Sequence, residues 1–285
     1  MMIMPEQQPA ITVQPRILIT GGSGRIGTLI SANLRTRYSL ILLDRRPPAD
    51  PTLPFVHADI SNADALAPHV QGIDTVLHLA AELRPTAPWT SIFPNNVVGT
   101  YNVMQAACAA GCRRVVFASS AYAVLGYPPH ILIESHMPPR PPNLYGASKA
   151  WGEALAREYA AASNTSILCV RIGYLVEPDA AVITPKHPAL DLALTPRDLI
   201  SVLTACIEAP DQLRFGIYHA VSHPHSRRFD MRPTAVELGF IPADDARRLA
   251  WRNLRGMLRR VSIRLRRCRK HSNRFKSLLN KHEWT

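Results

Sequence analysis

The chain has 285 residues, 47% of them hydrophobic, which is enough to bury the core of one large domain or of a domain with an appendage. It contains no run of 18 or more apolar residues, and this excludes a membrane-spanning helix. The net charge of +12 is concentrated at one end, because residues 247–285 hold 14 Lys/Arg and one acid, which leaves 19 of the 33 basic and 20 of the 21 acidic residues in residues 1–246.

The start of the chain and its cysteines bear on the compartment. Residues 1–15 lack the charged region and the apolar region of a signal peptide, so they are predicted to form a loose leader. Cys108 and Cys112 have helical spacing and are predicted to be reduced thiols rather than a disulfide. Together these features predict a cytoplasmic protein.

The body of the chain alternates short apolar runs with helical segments. Six strands are predicted, at residues 16–20, 39–44, 55–60, 73–81, 113–120 and 165–173. Helices are predicted in TLISANLRTR, at residues 62–70, 98–111 and 198–209, and around residue 145. Because the strand runs are almost continuously apolar and alternate with helices, they indicate a parallel sheet covered on both faces. The predicted fold class is α/β, a Rossmann-like doubly wound parallel sheet with a short C-terminal cap and an accessory basic helical tail.

The first predicted strand runs directly into the glycine-rich segment TGGSGRIG. Gly21, Gly24 and Gly27 have a spacing that permits a tight turn, close approach of a pyrophosphate and close packing of the following helix. A phosphate then lies at the helix N-terminus, where free N–H groups and the dipole favour an anion. Arg25 and Ile26 begin that helix and complete the segment predicted to contact a dinucleotide.

Acidic residues at the ends of the second and third strands extend this site. Asp44 lies 23 residues after Gly21 and is predicted to accept hydrogen bonds from the ribose hydroxyls of NAD. Arg45 and Arg46 follow and could instead hold a 2′-phosphate, so NADP is the alternative cofactor. Asp59 is predicted to contact adenine. Further predicted cofactor contacts are Ile60, Ala80, Asn96 and Lys149.

The segment NLYGASKAWGEAL places Tyr145 and Lys149 four residues apart, on one face of a predicted helix. A positive charge close to a phenol favours the phenolate and lowers the pKa of the phenol from its usual value of about 10. The pair is therefore predicted to act as a proton-transfer base. The alternative is a tyrosine and a lysine on an ordinary amphipathic helix.

The motifs TGGSGRIG, HADI, VLHLAA, NVVGTYNV, VVFASS and YGASK resemble, in this order, those of the extended short-chain dehydrogenase/reductase family, over residues 15–245. The resemblance implies that Ser120, Tyr145 and Lys149 carry catalysis. Tyr145 would move a proton as general acid or base while nicotinamide accepts or delivers a hydride. Ser120 would hydrogen-bond the substrate oxygen, and Ser119 is expected to point to the other face of its strand.

The resemblance carries further expectations about positioning and assembly. Asn96 would help to position Lys149 through water, or would cap the helix that it begins. The helix of Tyr145 would pair with its counterpart in a homodimer. The chain is accordingly divided into a leader at residues 1–15, a dinucleotide-binding domain at 16–173, a small substrate-binding region at 174–246 and a basic amphipathic tail at 247–285.

Within this family the chain is most similar to members of the uronate dehydrogenase type, in FASS, LYGASK, CVRIG and LTPRDLISVL. Three departures concern the substrate. Ala121-Tyr122 stands where the subgroup has Asn-His, Tyr174 stands where it has Ser, and Lys186 is the point charge that could replace its carboxylate-binding Arg. This predicts a pocket more apolar and aromatic than a sugar-acid site. The predicted substrate contacts are Ser120, Ala121, Tyr145, Tyr174 and Lys186.

The predicted function is an NAD(P)-dependent oxidoreductase that transfers a hydride between nicotinamide and a sugar-like alcohol or carbonyl compound. A nucleotide-sugar epimerase or dehydratase is the first alternative, although RIGYL lacks the Asn that would hold a nucleotide and AYAVLG lacks the acids of a dehydratase. The second alternative is a protein that binds the dinucleotide without turnover. The intact set of Ser, Tyr and Lys disfavours it.

The segment YHAVSHPHSRRFD brings His219, His223 and His225 close together in sequence. These histidines have no regular helix or strand spacing, and Pro224 interrupts the segment. A loop with solvated histidines is therefore predicted, and no metal site.

The basic tail carries an apolar stripe at 3-4-3-4-3 spacing, made of Trp251, Leu254, Leu258, Val261, Leu265 and Cys268. Such a stripe among many arginines is typical of a helix that lies on an anionic membrane, so the enzyme is predicted to contact acidic lipid peripherally. A partner helix, nucleic acid phosphate and a partly disordered solubilising tail are the alternatives. Specific nucleic-acid binding is not expected, because no recognised nucleic-acid fold accompanies the stripe.

Overall fold

The computed structural model describes residues 14–176, 190–223, 226–248 and 250. Four predicted features lie outside the described residues, namely the leader before residue 14, the substrate contact Lys186, His225 and the apolar stripe of the tail. Among the described residues no helix is long and apolar enough to cross a membrane.

A parallel sheet forms the centre of the fold. The strands are β1 (Arg16–Thr20), β2 (Ser39–Asp44), β3 (Phe55–His57), β4 (Thr75–His78), β5 (Arg114–Ser120), β6 (Ser166–Ile172), β7 (Tyr174–Leu175), β8 (Ala193–Leu194) and β9 (Phe215–Ala220). Seven of them form one sheet in the order β3-β2-β1-β4-β5-β6-β9, and β7 pairs with β8 separately. The strand order reverses between β1 and β4, where doubly wound sheets bind ligands at the carboxyl ends of the strands. The predicted α/β fold class is confirmed.

Helices cover both faces of the sheet. They are α1 (Arg25–Leu34), α2 (Ala63–Leu66), α3 (Trp89–Ile92), α4 (Gly99–Ala109), α5 (Leu144–Ala162), α6 (Pro196–Glu208) and α7 (Arg232–Leu238). A π-helical segment, Phe93–Val98, joins α3 to α4, and a 3-10 turn, Ala121–Ala123, follows β5. Side chains alternate along β1, so Ile17 and Ile19 share an apolar cluster with the buried sides of α1 and α6, whereas Leu18 belongs to the cluster under α4 and α5.

Side-chain caps begin α5, which carries Tyr145 and Lys149, and α6. Asn143 accepts a hydrogen bond from the Gly146 N–H group at 2.8 Å and starts α5. Thr195 accepts one from the Asp198 N–H group at 3.3 Å, and Pro196 occupies the first position of α6. The helix predicted from residue 198 therefore begins two residues earlier.

The third strand is shorter than predicted. It ends at His57 rather than at residue 60, because the chain turns after the Ala58 N–H group has donated to the Asp44 carbonyl oxygen. The turn is closed by a further hydrogen bond, from the Asn62 N–H group to the Asp59 carbonyl oxygen at 3.0 Å. Asp59 consequently lies in a loop beside the sheet edge.

The seventh strand of the sheet, β9, is not among the predicted strands. Polar residues interrupt its apolar pattern, and tertiary contacts cover them: the Tyr218 hydroxyl donates to the Glu237 carboxylate at 2.7 Å, and the His219 ring packs 4.9 Å from the Phe229 ring. The predicted loop of solvated histidines is wrong for His219 and His223, which are 1% and 5% exposed.

A buried arginine at the start of β5 is expected to contribute strongly to stability. The Arg114 guanidinium donates to the carbonyl oxygens of Cys206, Ile207, Ala209 and Pro210 at the end of α6. Arg114→Met is expected to lower the free energy of unfolding by about 3 kcal/mol, because buried carbonyl groups lose their partners. Urea denaturation followed by circular dichroism measures the loss.

The matched control for this substitution is an arginine in an exposed ion pair. Arg35 pairs with Asp50 at 2.6 Å, with both side chains about 40% exposed. Arg35→Ala is expected to cost less than about 1 kcal/mol. Equal losses in the two variants would contradict the role given to Arg114.

Candidate active site

The glycine-rich turn is too tightly packed to hold side chains. Gly21 has a φ of 71°, and a Cβ atom there would lie 2.6 Å from the Ala80 nitrogen. A Cβ atom at Gly27 would lie 2.5 Å from the Gly21 carbonyl oxygen. Gly24 is the N-cap of α1 and has no side chain that could accept from the N–H groups of the first turn. The turn therefore presents bare backbone and a helix N-terminus, which fits a pyrophosphate.

A cleft of about 450 Å³ opens beside this turn. It brings together seven of the predicted cofactor residues, Gly21, Gly24, Asp44, Arg45, Asp59, Ile60 and Ala80. Sequence reasoning missed six other lining residues, Leu43, Ala58, Leu79, Ala81, Leu83 and Asn95. Position beside the carboxyl end of a predicted strand is the signal that could have found most of them.

The other predicted contacts at the start of α1 are not among the residues that line the cleft. The Arg25 guanidinium donates to the Leu175 carbonyl oxygen at 3.0 Å. Ile26 packs against the hydrophobic core, and Gly27 is buried against the turn. These residues therefore shape the turn and connect it to β7.

The charged residues at the end of β2 favour a ribose diol over a 2′-phosphate. The Asp44 carboxylate accepts from the Ser23 N–H group at 3.2 Å and from the Arg46 N–H group at 3.1 Å. Arg45 pairs with Asp59, with 3.5 Å between Nη1 and Oδ2. A carboxylate thus faces the cleft while the neighbouring arginine already contacts an acid, and this set fits NAD.

Tyr145 lies in the first turn of α5, directly against the end of β5. A Cβ atom at Gly146 would overlap the Tyr122 carbonyl oxygen, so only glycine lets α5 approach the 3-10 turn this closely. The Ser120 hydroxyl lies near the Tyr145 phenol and acts to lower its pKa, and its oxygen accepts a hydrogen bond from the Tyr122 N–H group at 3.2 Å. The Tyr122 ring meets the Tyr145 ring edge-on, with 5.8 Å between centroids. The phenol is 8% exposed.

Lys149 lies one helical turn further along, on the same side of α5. Its ammonium donates to the Ala118 carbonyl oxygen at 2.7 Å and lies 5.9 Å from the centre of the Tyr145 ring. Burial lowers the pKa of Lys149 to about 8, while the Glu153 carboxylate acts in the opposite direction. The structure thus brings Ser120, Tyr145 and Lys149 together.

The net effect of the protein's own groups is to raise the pKa of Tyr145. Burial raises it, the Ser120 hydroxyl opposes the rise, and Tyr122 adds to it. The prediction that the ammonium brings this pKa down is therefore wrong for the protein alone. Burial outweighs the charge because the ammonium is directed to the Ala118 carbonyl oxygen rather than to the phenol oxygen.

The neighbouring serine and Asn96 have structural partners. The Ser119 hydroxyl donates to the Glu153 carboxylate at 2.5 Å, which agrees with its expected separation from the phenol. Asn96 is 1% exposed and donates to the Ser148 hydroxyl at 3.0 Å. Its side chain also bonds both backbone groups of Glu82. Asn96 thus lies within the π-helical segment rather than capping a helix, and its positioning of Lys149 through water stays a prediction.

Two further predicted substrate contacts, Ala121 and Tyr174, lie at the carboxyl edge of the sheet, as Ser120 does. Ala121 follows Ser120 and is 3% exposed, whereas Tyr174 is 51% exposed. Tyr174 begins β7, immediately after the carboxyl end of β6. In the part of the chain that the structure describes, no group of three or more His, Cys, Asp or Glu side chains could hold a metal ion.

Known proteins are similar to this chain in fold and in sequence. A family model for the NAD dependent epimerase/dehydratase family matches residues 17–185. An NAD-dependent glucose-6-phosphate dehydrogenase of Haloferax volcanii is 32% identical over 81% of this chain and 94% of its own length. The chain belongs to the NAD-dependent epimerase/dehydratase family, and it is an NAD(P)-dependent oxidoreductase of the extended short-chain dehydrogenase/reductase type.

Uronate dehydrogenases are among its relatives. That of Agrobacterium fabrum is 33% identical over 68% of this chain and 72% of its own length. A crystal structure of a mutant uronate dehydrogenase from Agrobacterium tumefaciens, complexed with NAD, aligns with a TM-score of 0.73 at 30% identity. This alignment covers 84% of this chain and 89% of that one. The family resemblance of the motifs is confirmed.

Proposed function

We propose that this protein is an NAD-dependent sugar dehydrogenase that oxidises a hydroxyl-bearing carbon of a sugar-type substrate. The proposal is carried by the position of Tyr145 at the carboxyl end of β5, next to the Ser120 hydroxyl and with the Lys149 ammonium 5.9 Å from its ring centre. The names of the relatives, a glucose-6-phosphate dehydrogenase and uronate dehydrogenases, support a sugar as the substrate class.

Three parts of the cofactor, its pyrophosphate, adenosine ribose and adenine, can be assigned to residues of the cleft. Gly21 and Gly24 would hold the pyrophosphate, Asp44 the adenosine ribose, and the loop around Asp59 the adenine. When bound, NAD supplies the acceptor for the hydride. The seven predicted cofactor residues that line the cleft support this placement.

The catalytic residues would manage the proton that accompanies the hydride. Tyr145 would accept the proton of the substrate hydroxyl as general base. Ser120 would hydrogen-bond the same oxygen and hold it near the phenol. Lys149 would stabilise the phenolate by its charge, because the two groups share one side of α5.

A panel of aldoses, aldose phosphates and uronic acids tests the proposal. NADH formation is followed at 340 nm, with NAD and NADP supplied separately. At least one sugar should reduce NAD, and NADP should serve less well because Asp44 faces the cleft. Failure of every sugar to reduce either cofactor would overturn the proposed function.

The oxidation rate is expected to depend on pH in two phases. Because burial raises the pKa of Tyr145, the phenolate is scarce near neutral pH and the rate should rise about tenfold per pH unit. Near pH 8 Lys149 begins to lose its proton, so fewer molecules carry the ammonium that stabilises the phenolate and the rise should level off. Initial rates at saturating NAD from pH 6 to 10 locate the bend. A profile of Lys149→Met with the same bend would contradict this assignment.

A further inference from the structure

Three consecutive residues at the end of β5 each contact one residue of α5, and these α5 residues are spaced by four. The contacts join Ser120 to Tyr145, the Ala118 carbonyl oxygen to Lys149 at 2.7 Å, and the Ser119 hydroxyl to Glu153 at 2.5 Å. The first two contacts belong to the catalytic set. The third contact, between Ser119 and Glu153, takes no part in the proton transfer, although it joins the same strand to the same face of α5.

Glu153 is held rigidly from its other side by Arg171 of β6. The arginine Nε and Nη2 atoms donate to the two carboxylate oxygens, each at 2.8 Å. Arg171 is also the direct neighbour of Ser119 across the β5–β6 pair. All three side chains are no more than 3% exposed. The carboxylate therefore has one fixed position, one helical turn beyond Lys149.

The titratable groups around this pair come from four elements: His78 on β4, Tyr145 and the exposed Arg157 on α5, Cys169 and Arg171 on β6, and His219 on β9. Burial lowers the pKa of both His78 and His219 to about 3, so both rings are neutral. Burial also raises the pKa of the Cys169 thiol, which stays protonated. In the described part of the chain, Glu153 is thus the one group that opposes the loss of charge from Lys149.

We propose that Glu153 is a positioning residue for the dehydrogenase reaction, whose carboxylate, fixed by Ser119 and Arg171, holds Lys149 in its charged form beside Tyr145. The inference rests on the proposed function. Apolar residues of similar volume often replace a buried ion pair without loss of stability, so stability alone does not account for this one. A role in the reaction explains why it lies next to the catalytic set.

The pH profile of Glu153→Gln separates this role from a merely structural one. Without the carboxylate, Lys149 loses its proton at lower pH, so the bend in the oxidation profile should move to acid by about one pH unit. At pH 8 kcat should fall about fivefold, because the charged fraction of Lys149 falls by that factor, while the KM for NAD stays unchanged. Asp74→Asn is the control, because Asp74 pairs with Arg113 at the amino ends of the strands. It should leave the bend in place.

A second variant keeps the test decisive if Glu153→Gln does not fold. Glu153→Met combined with Arg171→Met removes both charges and leaves none unpaired. It should also shift the bend to acid pH, but by less than Glu153→Gln, because the positive charge of Arg171 is lost together with the carboxylate. If the bend of either folded variant coincides with that of the parent protein, the proposal is overturned.

The unfolding free energy gives a readout that needs no substrate. The pKa of Lys149 is lower in the folded protein than in the unfolded chain, where it is about 10.4. The unfolded chain therefore binds more protons between about pH 8 and 10.4, and the stability contributed at this lysine rises with pH over that window. The comparison with Lys149→Met isolates this contribution, and in the Glu153→Met/Arg171→Met background the rise should begin at lower pH.

The outcomes distinguish this inference from the proposed function. A parent protein that oxidises no sugar overturns the proposed function, while the unfolding measurement still decides the role of Glu153. An active parent whose bend and stability window are unchanged in both variants overturns the role of Glu153 alone.

Discussion

Replacing Tyr145 with phenylalanine is expected to lower kcat/KM for sugar oxidation by about a hundred- to ten-thousand-fold, because the general base is lost. The substitution removes only the hydroxyl. The ring keeps its packing against Tyr122, Ala87 and Ile92, so the fold and the affinity for NAD should be unchanged. Steady-state kinetics at 340 nm and NAD titration by calorimetry measure the two properties.

Another tyrosine on the same helix provides the matched control. The Tyr159 hydroxyl donates to the Gln105 side chain at 2.6 Å, away from the catalytic set. Tyr159→Phe should retain the parent kcat/KM. If Tyr145→Phe loses less than about tenfold, the phenol is not the base that transfers the proton.

Replacing Gly21 with alanine is expected to weaken NAD binding by about 10- to 100-fold, which corresponds to roughly 1–3 kcal/mol of overpacking strain. The new Cβ atom would lie 2.6 Å from the Ala80 nitrogen and 2.8 Å from its Cα atom. These are backbone atoms and cannot rotate away. The loop after β4 must therefore move, and Ala80 lines the cleft. Isothermal titration with NAD measures the loss.

Gly111 allows the effect of backbone conformation to be separated from that of the cleft. Its φ is 70°, almost that of Gly21, yet a Cβ atom there would have no neighbour within 4 Å. Gly111→Ala also puts an alanine in the left-handed conformation, which should lower the free energy of unfolding by about 1–2 kcal/mol. It should leave the affinity for NAD unchanged. Equal affinities in the two alanine variants would contradict the placement of the pyrophosphate at Gly21.

The sequence predicted those parts of the fold that local patterns determine. β1 and β2 have the predicted bounds, because each is an uninterrupted apolar run with a clear stop. β9 was not predicted because Tyr218 and His219 interrupt its apolar pattern. In the folded protein Tyr218 contacts Glu237 and His219 contacts Phe229. Both partners lie outside the strand, in the segment that follows it, so the pattern of the strand itself contains no sign of them.

In the candidate site, the identity of the residues that meet could be predicted from the sequence, but their electrostatic environment could not. The motifs predicted that Ser120, Tyr145 and Lys149 meet. Ser120 ends a strand at the carboxyl edge of the sheet, and Tyr145 and Lys149 share one face of a helix. The electrostatics could not be predicted, since burial raises the pKa of Tyr145 and only the packed structure determines burial. Glu153 offered a weak signal, an acid four residues after Lys149, but its partner Arg171 comes from another strand.

The stoichiometry of NADH formed per sugar consumed tests the central claim most directly. The best sugar of the panel is incubated with excess NAD, and NADH, residual sugar and product are quantified at several times. A dehydrogenase gives one NADH per sugar oxidised, and Tyr145→Phe gives almost none over the same period. Conversion of the sugar to an epimer with no net NADH would contradict the account and would make the protein an epimerase.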